Sequence, residues 1–434
     1  MRVQLKTLGC RLNEAELERW ALEFQAEGHQ VVPEGADADL LVLNSCAVTQ
    51  DAVRKSRNQI RKATRENPGA RVIVSGCYVS LHPSEAETLG IDLVVANKDK
   101  DRLVEIVQEQ LAIHAMPAAA KGPEANALFQ LGRHRAFVKV QDGCRHRCTY
   151  CIVTVARGEE RSRTVEAIID EINQHHQAGL VEVVLTGVHL GGYGSDLGCT
   201  LTDLIEAILA RTSIPRIRLG SLEPWDIPPH FFSLFQNQRL MPHLHLPIQS
   251  GSASVLKRMA RRSGPDDIRD LLHRLRETLP EINLTTDVIV GFPGETDEEW
   301  QETLTFFERM AFSHVHVFSF SPRQGTAAAH FSDPVDSRVR QARVHALMAL
   351  GETLKQRYAQ RFIGQTLPVL FEGARALSET LSVVQGYTPN YLKVALKTTP
   401  AHAQALSFKV HPTTLMMLSE ETGVIEGRLP PLMQ

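Results

Sequence analysis

One short segment of the sequence carries three cysteines at a spacing that suits a metal cluster. The letters GCRHRCTYC place Cys144, Cys148 and Cys151 at positions i, i+4 and i+7 of a loop. Three thiolates on one loop can hold three corners of an iron–sulfur cube and leave one iron open to another ligand. The alternative is a structural zinc site, which normally has four protein ligands and would need Cys199 or His146 as the fourth.

A second set of cysteines is spread through the first part of the chain. Cys10, Cys46 and Cys77 follow the strand-like segments LKTLGC, LVLNSC and VIVSGC at intervals close to one βαβ repeat of roughly 30 residues. Parallel strands end at one edge of a sheet, so these cysteines can converge on a second three-thiolate cluster. The alternative is three separately buried structural cysteines, which would not need to follow strands.

The elements expected around this second set alternate between strands and helices. We predict strands over 3–8, 40–44, 71–75 and 93–96, and helices over 51–65, over 101–112 and from an N-cap at Asn13 to 28. Strands that alternate with helices imply a parallel sheet with crossover connections. The Ala/Pro-rich stretch 113–132 lacks periodicity and is predicted to be a linker.

The βα alternation restarts after the linker and positions the first set of cysteines. We predict strands over 137–141, 181–186, 217–221, 243–248, 284–290 and 314–320, a long helix over 334–362, and short strands beyond residue 364. Periodicity alone does not separate a β/α barrel from a doubly wound sheet. The expected fold is α/β, with an N-terminal parallel-sheet domain over 1–112, a central partial β/α barrel over 133–362 and a small C-terminal β-barrel over 363–430.

Length and composition limit the classes of protein that this chain can be. It has 434 residues, 43% of them hydrophobic, and a formal net charge of -3, which excludes a disordered chain and a uniformly basic coat for nucleic acid. We find no long apolar run and no signal-peptide core, so we expect a cytoplasmic protein without a membrane segment. In that reducing compartment the seven cysteines are not a disulfide framework.

The CxxxCxxC spacing after the first strand of a β/α barrel resembles the radical S-adenosylmethionine (SAM) enzymes. The resemblance implies that Cys144, Cys148 and Cys151 bind a 4Fe-4S cluster whose open iron takes SAM and yields a carbon radical. The segments LTGVHLGGYG, HLPIQSGS and TDVIVGFPGET look like that superfamily's cofactor-contacting strand ends. The cofactor contacts expected from them are Gly187, Gln249, Val290 and Gly291.

Nearly the whole chain resembles one branch of that superfamily, the methylthiotransferases. The resemblance rests on QDGCRHRCTYCIVTVARGEERSR, RIRLGSLEPWD, HLHLPIQSGSASVLKRMARR, TTDVIVGFPGETDEEW and SPRQGTAAA, and the C-terminal strands look like the RNA-binding TRAM module. KTLGCRLNEAE and NSCAVTQDAVRKSR look like the branch acting on threonylcarbamoyladenosine at position 37 of tRNA. The family usually has Pro where this chain has Thr154, and commonly Asn where it has Ala260.

The resemblance also implies a division of labour between two 4Fe-4S clusters. The cluster on Cys144, Cys148 and Cys151 would be catalytic, and the cluster on Cys10, Cys46 and Cys77 would carry a sulfur that a separate SAM methylates. The implied partners are the tRNA anticodon loop, an electron donor such as flavodoxin or ferredoxin, and a sulfur donor. The alternatives are methylthiolation of isopentenyladenosine in tRNA or of a ribosomal protein, and a two-cluster redox protein without substrate chemistry.

Two basic stretches are the expected RNA contacts. One is the helix after Cys46, with Arg54, Lys55, Arg57, Arg61, Lys62 and Arg65; the other spans 133–163, with Arg133, Arg135, Lys139, Arg145, Arg147, Arg157, Arg161 and Arg163. A solvated charged face is the alternative for either stretch. His243 and His245 share one face of a strand, and without an evident third ligand we interpret them as polar residues of the barrel interior.

Overall fold

The computed structural model describes residues 1–111, 135–419 and 421–430. The expected linker over 113–132 and the basic residue Arg133 lie outside the described residues, and the expected domain boundaries stay predictions. The chain forms two compact units, which we describe separately. Unit 1 comprises Met1–Ala178, Val184–Thr200 and Ser321–Ala329, and unit 2 comprises Gly179–Val183, Leu201–Phe320 and His330–Gln434.

Unit 1 opens with a parallel five-stranded sheet, as expected. Its strands are β1 Arg2–Thr7, β2 Gln30–Val32, β3 Leu40–Ser45, β4 Arg71–Gly76 and β5 Leu93–Val95, in the order β2-β1-β3-β4-β5. Its helices are α1 Arg11–Ala26, α2 Gln50–Glu66, α3 Cys77–Leu81, α4 Pro83–Glu87 and α5 Leu103–Gln110. All neighbouring strands run parallel. Helices connect β1 to β2, β3 to β4 and β4 to β5 and return the chain to the same end of the sheet, whereas a loop over 33–39 connects β2 to β3.

The sheet is buried on both faces, which explains its continuous apolar strands. Val42 packs with Trp20 and Phe24 of α1 on one face. Leu43, the next residue along β3, packs with Ile60 of α2 on the other face. Successive side chains of a strand alternate between faces, so only an apolar run can fill both cores.

Asn13 is not the N-cap of α1, so that expectation was wrong. The helix begins at Arg11 with Cys10 as its N-cap, and no side chain caps it. Asn13 is buried in the first turn, where its Nδ2 donates to the backbone oxygen of Leu8 at 2.7 Å. An Asn near a helix start favours capping locally, but here tertiary partners use its amide instead.

The central part of the chain alternates strands and helices as expected. Its strands are β6 Ala136–Lys139, β7 Gln141–Asp142, β8 Arg161–Ser162, β9 Glu182–Thr186, β10 Arg216–Leu219, β11 His243–His245, β12 Asn283–Val290 and β13 His314–Ser319. Its helices are Val153–Arg157, Val165–Gln177, Leu201–Arg211, Ala253–Arg258, Pro265–Thr278, Asp297–Met310 and Ser337–Gln360. In unit 2, β11, β12 and β13 form a parallel sheet in that order.

The C-terminal part of unit 2 is a small closed β-barrel. Its strands are β14 Thr366–Phe371, β15 Arg375–Ala376, β16 Ser382–Tyr387, β17 Lys393–Thr398, β18 Val410–Leu418 and β19 Ile425–Arg428. The sheet order is β14-β18-β19-β17-β16-β15, and an additional pairing of β14 with β16 closes the barrel. One of the short strands expected beyond residue 364, the segment LSFKVH over 406–411, was partly wrong, since the helix Pro400–Leu406 precedes a strand that starts at Val410.

Two arginines of β10 join the C-terminal barrel to the central strands of unit 2. Arg216 and Arg218 both pair with the buried carboxylate of Glu182. Arg218 also donates to the backbone oxygens of Thr388 and Pro389, each at 2.8 Å. Removing the C-terminal barrel would therefore expose these buried charges. The barrel is packed onto the central strands of unit 2. Across the described ranges we find no helix whose length and apolarity would let it cross a lipid bilayer.

Candidate functional site

Three neighbouring strands of unit 1 end at Cys10, Cys46 and Cys77. Cys10 follows β1 as the N-cap of α1, Cys46 directly follows β3, and Cys77 follows β4 as the first residue of α3. Because β1, β3 and β4 are adjacent and parallel, the structure places these cysteines along one edge of the sheet. None of the seven cysteines is in a disulfide.

The backbone before Cys10 approaches Cys46 closely. Gly9 has a φ of +108°, and a Cβ there would lie 2.6 Å from Sγ of Cys46. Burial, together with the charges of Cys10 and Cys77, raises the pKa of Cys46 to about 11. Thiolates are the form that binds metal, so occupation of this edge by a cation must release protons.

The loop of the CxxxCxxC set is held by its own backbone. The N–H of Cys151 donates to the oxygen of Cys148 at 3.0 Å, and the N–H of Cys144 donates to the oxygen of Gly158 at 3.1 Å. The N–H of His146 donates to Sγ of Cys144 at 3.4 Å. Burial raises the pKa of Cys144 to about 12, and this N–H opposes the shift because it stabilises the thiolate.

A chain of hydrogen-bonded side chains supports this loop. Nε2 of His146 lies 3.1 Å from Nε2 of His189, and Nδ1 of His189 lies 2.5 Å from Oε1 of Glu160. Cys144, Glu160 and His189 each place a ligand atom within 4.8 Å of the others. Glu160 and His189 therefore lie beside the Cys144 thiol and orient the His146 ring. Sequence reasoning missed them because no spacing signal connects them.

A buried ionic cluster links the loops of the two cysteine sets. Arg157, which ends the helix after Cys151, pairs with Glu16 of α1 and with Asp142, each at 2.9 Å. All three side chains are almost completely buried. Coulombic attraction to Glu16 and Asp142 raises the pKa of Arg157 despite burial, and so does the charge of Cys77.

Lys100 extends this ionic cluster toward Cys46. Its Nζ donates to Oε2 of Glu16 at 2.6 Å and to Oδ1 of Asn44 at 3.1 Å. Burial raises the pKa of Glu16, but Arg157, Lys100 and Lys139 outweigh it and hold the pKa well below its ordinary value. Glu16 is thus a buried carboxylate that stays ionised.

The interpretation of 133–163 as an RNA-contacting surface was wrong for three of its basic residues. Arg135, Lys139 and Arg157 are buried. Lys139 pairs with Asp101 at 2.7 Å. A periodicity argument cannot tell a buried cation from an exposed one when its partner is far away in sequence. Arg145, Arg147 and Arg161 are exposed, as that interpretation required.

The basic face of α2 is exposed, although acids accompany it. Arg54 and Lys55 pair with Asp51 at 2.6 and 2.7 Å, and Arg57 pairs with Glu85 at 2.7 Å. The side chains of Arg54 and Lys55 stay largely accessible, as do those of Arg61, Lys62 and Arg65, whereas Arg57 is half-buried. The cations of α2 can therefore bind a polyanion, and doing so would break only weak surface ion pairs.

The four expected cofactor contacts differ in their surroundings. In unit 1 a Cβ at Gly187 would lie 3.0 Å from Oε1 of Gln141. In unit 2, Gln249 and Gly291 have positive φ values of +78° and +74°. The N–H of Gly291 donates to Glu295, and the side chain of Val290 is fully buried. Contact with a cofactor through these residues stays a prediction, and at Val290 only the backbone could make it.

His245 has the nearby partners that the sequence did not reveal. Its Nε2 lies 3.2 Å from Oδ2 of Asp287, and these two residues form a compact group with His316 on three neighbouring strands. Its Nδ1 lies 2.9 Å from Oγ1 of Thr285. His243 is buried and stacks on Tyr391. Both histidines are thus polar residues of a packed interior, but His245 also has potential co-ligands.

Comparisons with known proteins agree with this architecture. Residues 138–307 match the Radical SAM superfamily, and residues 2–96 match the uncharacterized protein family UPF0004. The chain is 38% identical over 409 residues to the threonylcarbamoyladenosine tRNA methylthiotransferase MtaB of Bacillus subtilis, covering 92% of this chain and 90% of the relative. It is 34% identical over 400 residues to a tRNA-2-methylthio-N(6)-dimethylallyladenosine synthase of Staphylococcus saprophyticus, covering 88% and 77%.

A solved structure shows a related fold. The radical S-adenosylmethionine methyltransferase TsrM of Kitasatospora setae superposes with a TM-score of 0.55 over 73% of this chain and 72% of that chain. The identity is 15%, so this similarity concerns the fold alone.

Proposed function

This chain belongs to the radical SAM tRNA methylthiotransferases, and on that premise we propose that it adds a methylthio group to C2 of threonylcarbamoyladenosine at position 37 of tRNA. The observation that carries the proposal is the near full-length similarity to a relative named for this nucleoside. The dimethylallyladenosine synthase relative favours a second nucleoside, but the match covers less of its length. Threonylcarbamoyladenosine is therefore the first candidate.

The two cysteine sets divide the work of holding two 4Fe-4S clusters. One of these clusters, with SAM bound, would supply the radical chemistry that removes an aromatic hydrogen, which lies beyond the reach of any acid or base. Cys144, Cys148 and Cys151 would hold that cluster. The three strand-end cysteines of the N-terminal sheet would hold the cluster assigned to sulfur.

The charges around the N-terminal cysteines fit such a group. Three cations, Arg157, Lys100 and Lys139, are buried with only two buried acids, Glu16 and Asp142. Asp101, the third acid of this buried ionic cluster and the partner of Lys139, is half exposed to solvent. Three thiolates around a 4Fe-4S core carry net negative charge, so the buried excess of positive charge would offset it.

Other residues of the chain would orient the cluster ligands and bind the tRNA. His146 steadies the Cys144 thiolate through its backbone N–H, and His189 and Glu160 hold the His146 ring. The exposed cations of α2 would contact phosphates of the anticodon loop, whose attraction is salt-dependent. The remaining partners would be an electron donor such as flavodoxin or ferredoxin and a sulfur donor, in the cytoplasm where tRNA is modified.

Nucleoside mass spectrometry of tRNA tests this proposal directly. A strain that lacks the gene should lose 2-methylthio-threonylcarbamoyladenosine and accumulate the unmodified nucleoside. Restoring the wild-type gene should restore the product, and Cys10→Ala or Cys144→Ala should not. A normal product level in the deletion strain would refute the nucleoside assignment, and product formed by either cysteine variant would refute the division of labour.

A further inference from the structure

Residues 321–329 reach the loops of both cysteine sets within unit 1. Nη2 of Arg323 donates to the backbone oxygen of Ala47, the residue after Cys46, at 2.6 Å. Five residues later the N–H of Ala328 donates to the backbone oxygen of Thr149 at 2.8 Å, inside the CxxxCxxC loop. The segment that carries Arg323 is therefore anchored at both candidate cluster sites.

Arg323 differs from the other buried cations of this region. Its residue is 8% exposed, and among the described residues no carboxylate lies within ion-pair distance of it. Its Nε has no hydrogen-bond partner in the same part of the chain. By contrast, Arg157 has both Glu16 and Asp142. Burying a guanidinium without an anion costs free energy. Arg323 is therefore a buried positive charge that a bound anion would stabilise.

The electrostatic neighbour of Arg323 in the N-terminal cysteine set is Cys46. Burial lowers the pKa of Arg323, and the negative charge of Cys46 opposes this shift. The irons of a cluster would balance the charges of the three thiolates, whereas a further anion at the open corner would add a negative charge that a nearby cation can offset. A guanidinium remains charged at all physiological pH values and offers five N–H donors.

We propose that Arg323 binds an anionic sulfur species, hydrosulfide, beside the open corner of the cluster on Cys10, Cys46 and Cys77. The inference rests on the proposed function, since it requires a cluster at those cysteines. Binding is by charge and by N–H···S hydrogen bonds. The anion arrives with its own charge, so no electron or proton has to move.

Sulfide titration of a chain with one cluster tests the role of Arg323. A variant with Cys144→Ala, Cys148→Ala and Cys151→Ala should bind about four irons. After reduction with dithionite, sodium sulfide should shift the electron paramagnetic resonance signal of the reduced cluster. Adding Arg323→Gln should raise the half-saturating sulfide concentration by roughly 10-fold to 100-fold, the range of a charge-assisted hydrogen bond. Arg102→Gln, an exposed arginine of unit 1, is the matched control and should leave it unchanged.

The outcomes separate this inference from the function that it rests on. A triple variant that binds no iron contradicts the two-cluster function itself. An Arg323→Gln protein that keeps its iron and binds sulfide as before overturns the role of Arg323 and leaves the function standing. If Arg323→Gln loses iron, Arg323→Lys keeps the charge and decides. An Arg323→Lys protein that keeps its iron and binds sulfide within several-fold of the parent would support binding by charge. An Arg323→Lys protein that also loses its iron would assign the residue to holding the cluster and overturn sulfur binding.

Discussion

Arg157 donates a hydrogen bond from Nη2 to Oδ1 of Asn13 across 2.7 Å, although the two residues are 144 positions apart in the chain. Asn13 lies in the helix that follows Cys10, and Arg157 ends the helix that follows Cys151. A single buried side chain thus ties together the segments that carry the two cysteine sets.

Replacing Arg157 with Met should lower the free energy of unfolding by about 1.5–3 kcal/mol, because Glu16 and Asp142 would each lose a buried charged hydrogen bond, although Lys100 and Lys139 stay beside them. Urea-induced unfolding under anaerobic conditions measures the change. Arg54→Met, whose side chain is 69% exposed, is the control and should cost less than about 0.5 kcal/mol. Equal midpoints for the two variants would show that the buried ion pairs do not stabilise the fold.

Gly143→Ala should remove the cluster of the CxxxCxxC loop. Gly143 has a φ of +74°, and a Cβ there would lie 1.8 Å from the backbone oxygen of Glu159, so the loop must move. Iron analysis should fall from about eight to about four atoms per chain. Gly158→Ala shares the positive φ, at +75°, but its Cβ meets nothing within 4 Å, so it should keep more iron. Full iron content in Gly143→Ala would contradict the steric argument.

Ala260→Gly should stabilise the protein by about 0.5–1 kcal/mol. Ala260 has a φ of +56°, a left-handed conformation that costs a residue with a Cβ. Ala260→Asn, the residue common in the family at this position, should give a smaller gain because Asn tolerates this conformation. Ala253→Gly, in the adjacent helix Ala253–Arg258, is the matched control and should destabilise. Thermal unfolding midpoints that fall in Ala260→Gly would exclude backbone strain at this position.

Acid should remove the stabilisation contributed by Glu299. A hydrogen bond from Arg258 lowers its pKa from an ordinary value of 4.5 to about 2, against burial that raises it. A carboxyl with a depressed pKa stabilises the fold fully above its unfolded value and loses that contribution as the pH falls toward the folded value. Glu299→Gln should therefore be less stable than wild type at neutral pH.

That difference should shrink between pH 4.5 and pH 2. Unfolding free energies measured across this range for wild type and Glu299→Gln would show the convergence. Glu298→Gln, an exposed neighbour, should show no comparable pH dependence. A gap between wild type and Glu299→Gln that stays constant across the range would contradict the role of the Arg258 hydrogen bond.

The order of elements and the grouping of the cysteines follow from the sequence by itself. The alternation of apolar strands and amphipathic helices is a local signal, and it predicted the parallel sheet and the βα order of the central region. It also predicted that Cys10, Cys46 and Cys77 would follow strands, because each comes directly after an apolar run. A residue at the end of a parallel strand lies at the edge of the sheet. The CxxxCxxC set needed no tertiary information, since one short loop carries all three thiols.

The tertiary structure alone decided which polar side chains serve the site. Asn is a residue type that favours helix caps, but Asn13 binds Arg157. Lys is a residue type typical of surfaces, but Lys139 is buried. Arg323 reaches the residue after Cys46 from 276 positions away. Such pairings depend on which segments the fold brings together, and neither periodicity nor spacing encodes them. Local patterns thus determined where the thiols lie, and long-range packing determined which charges surround them.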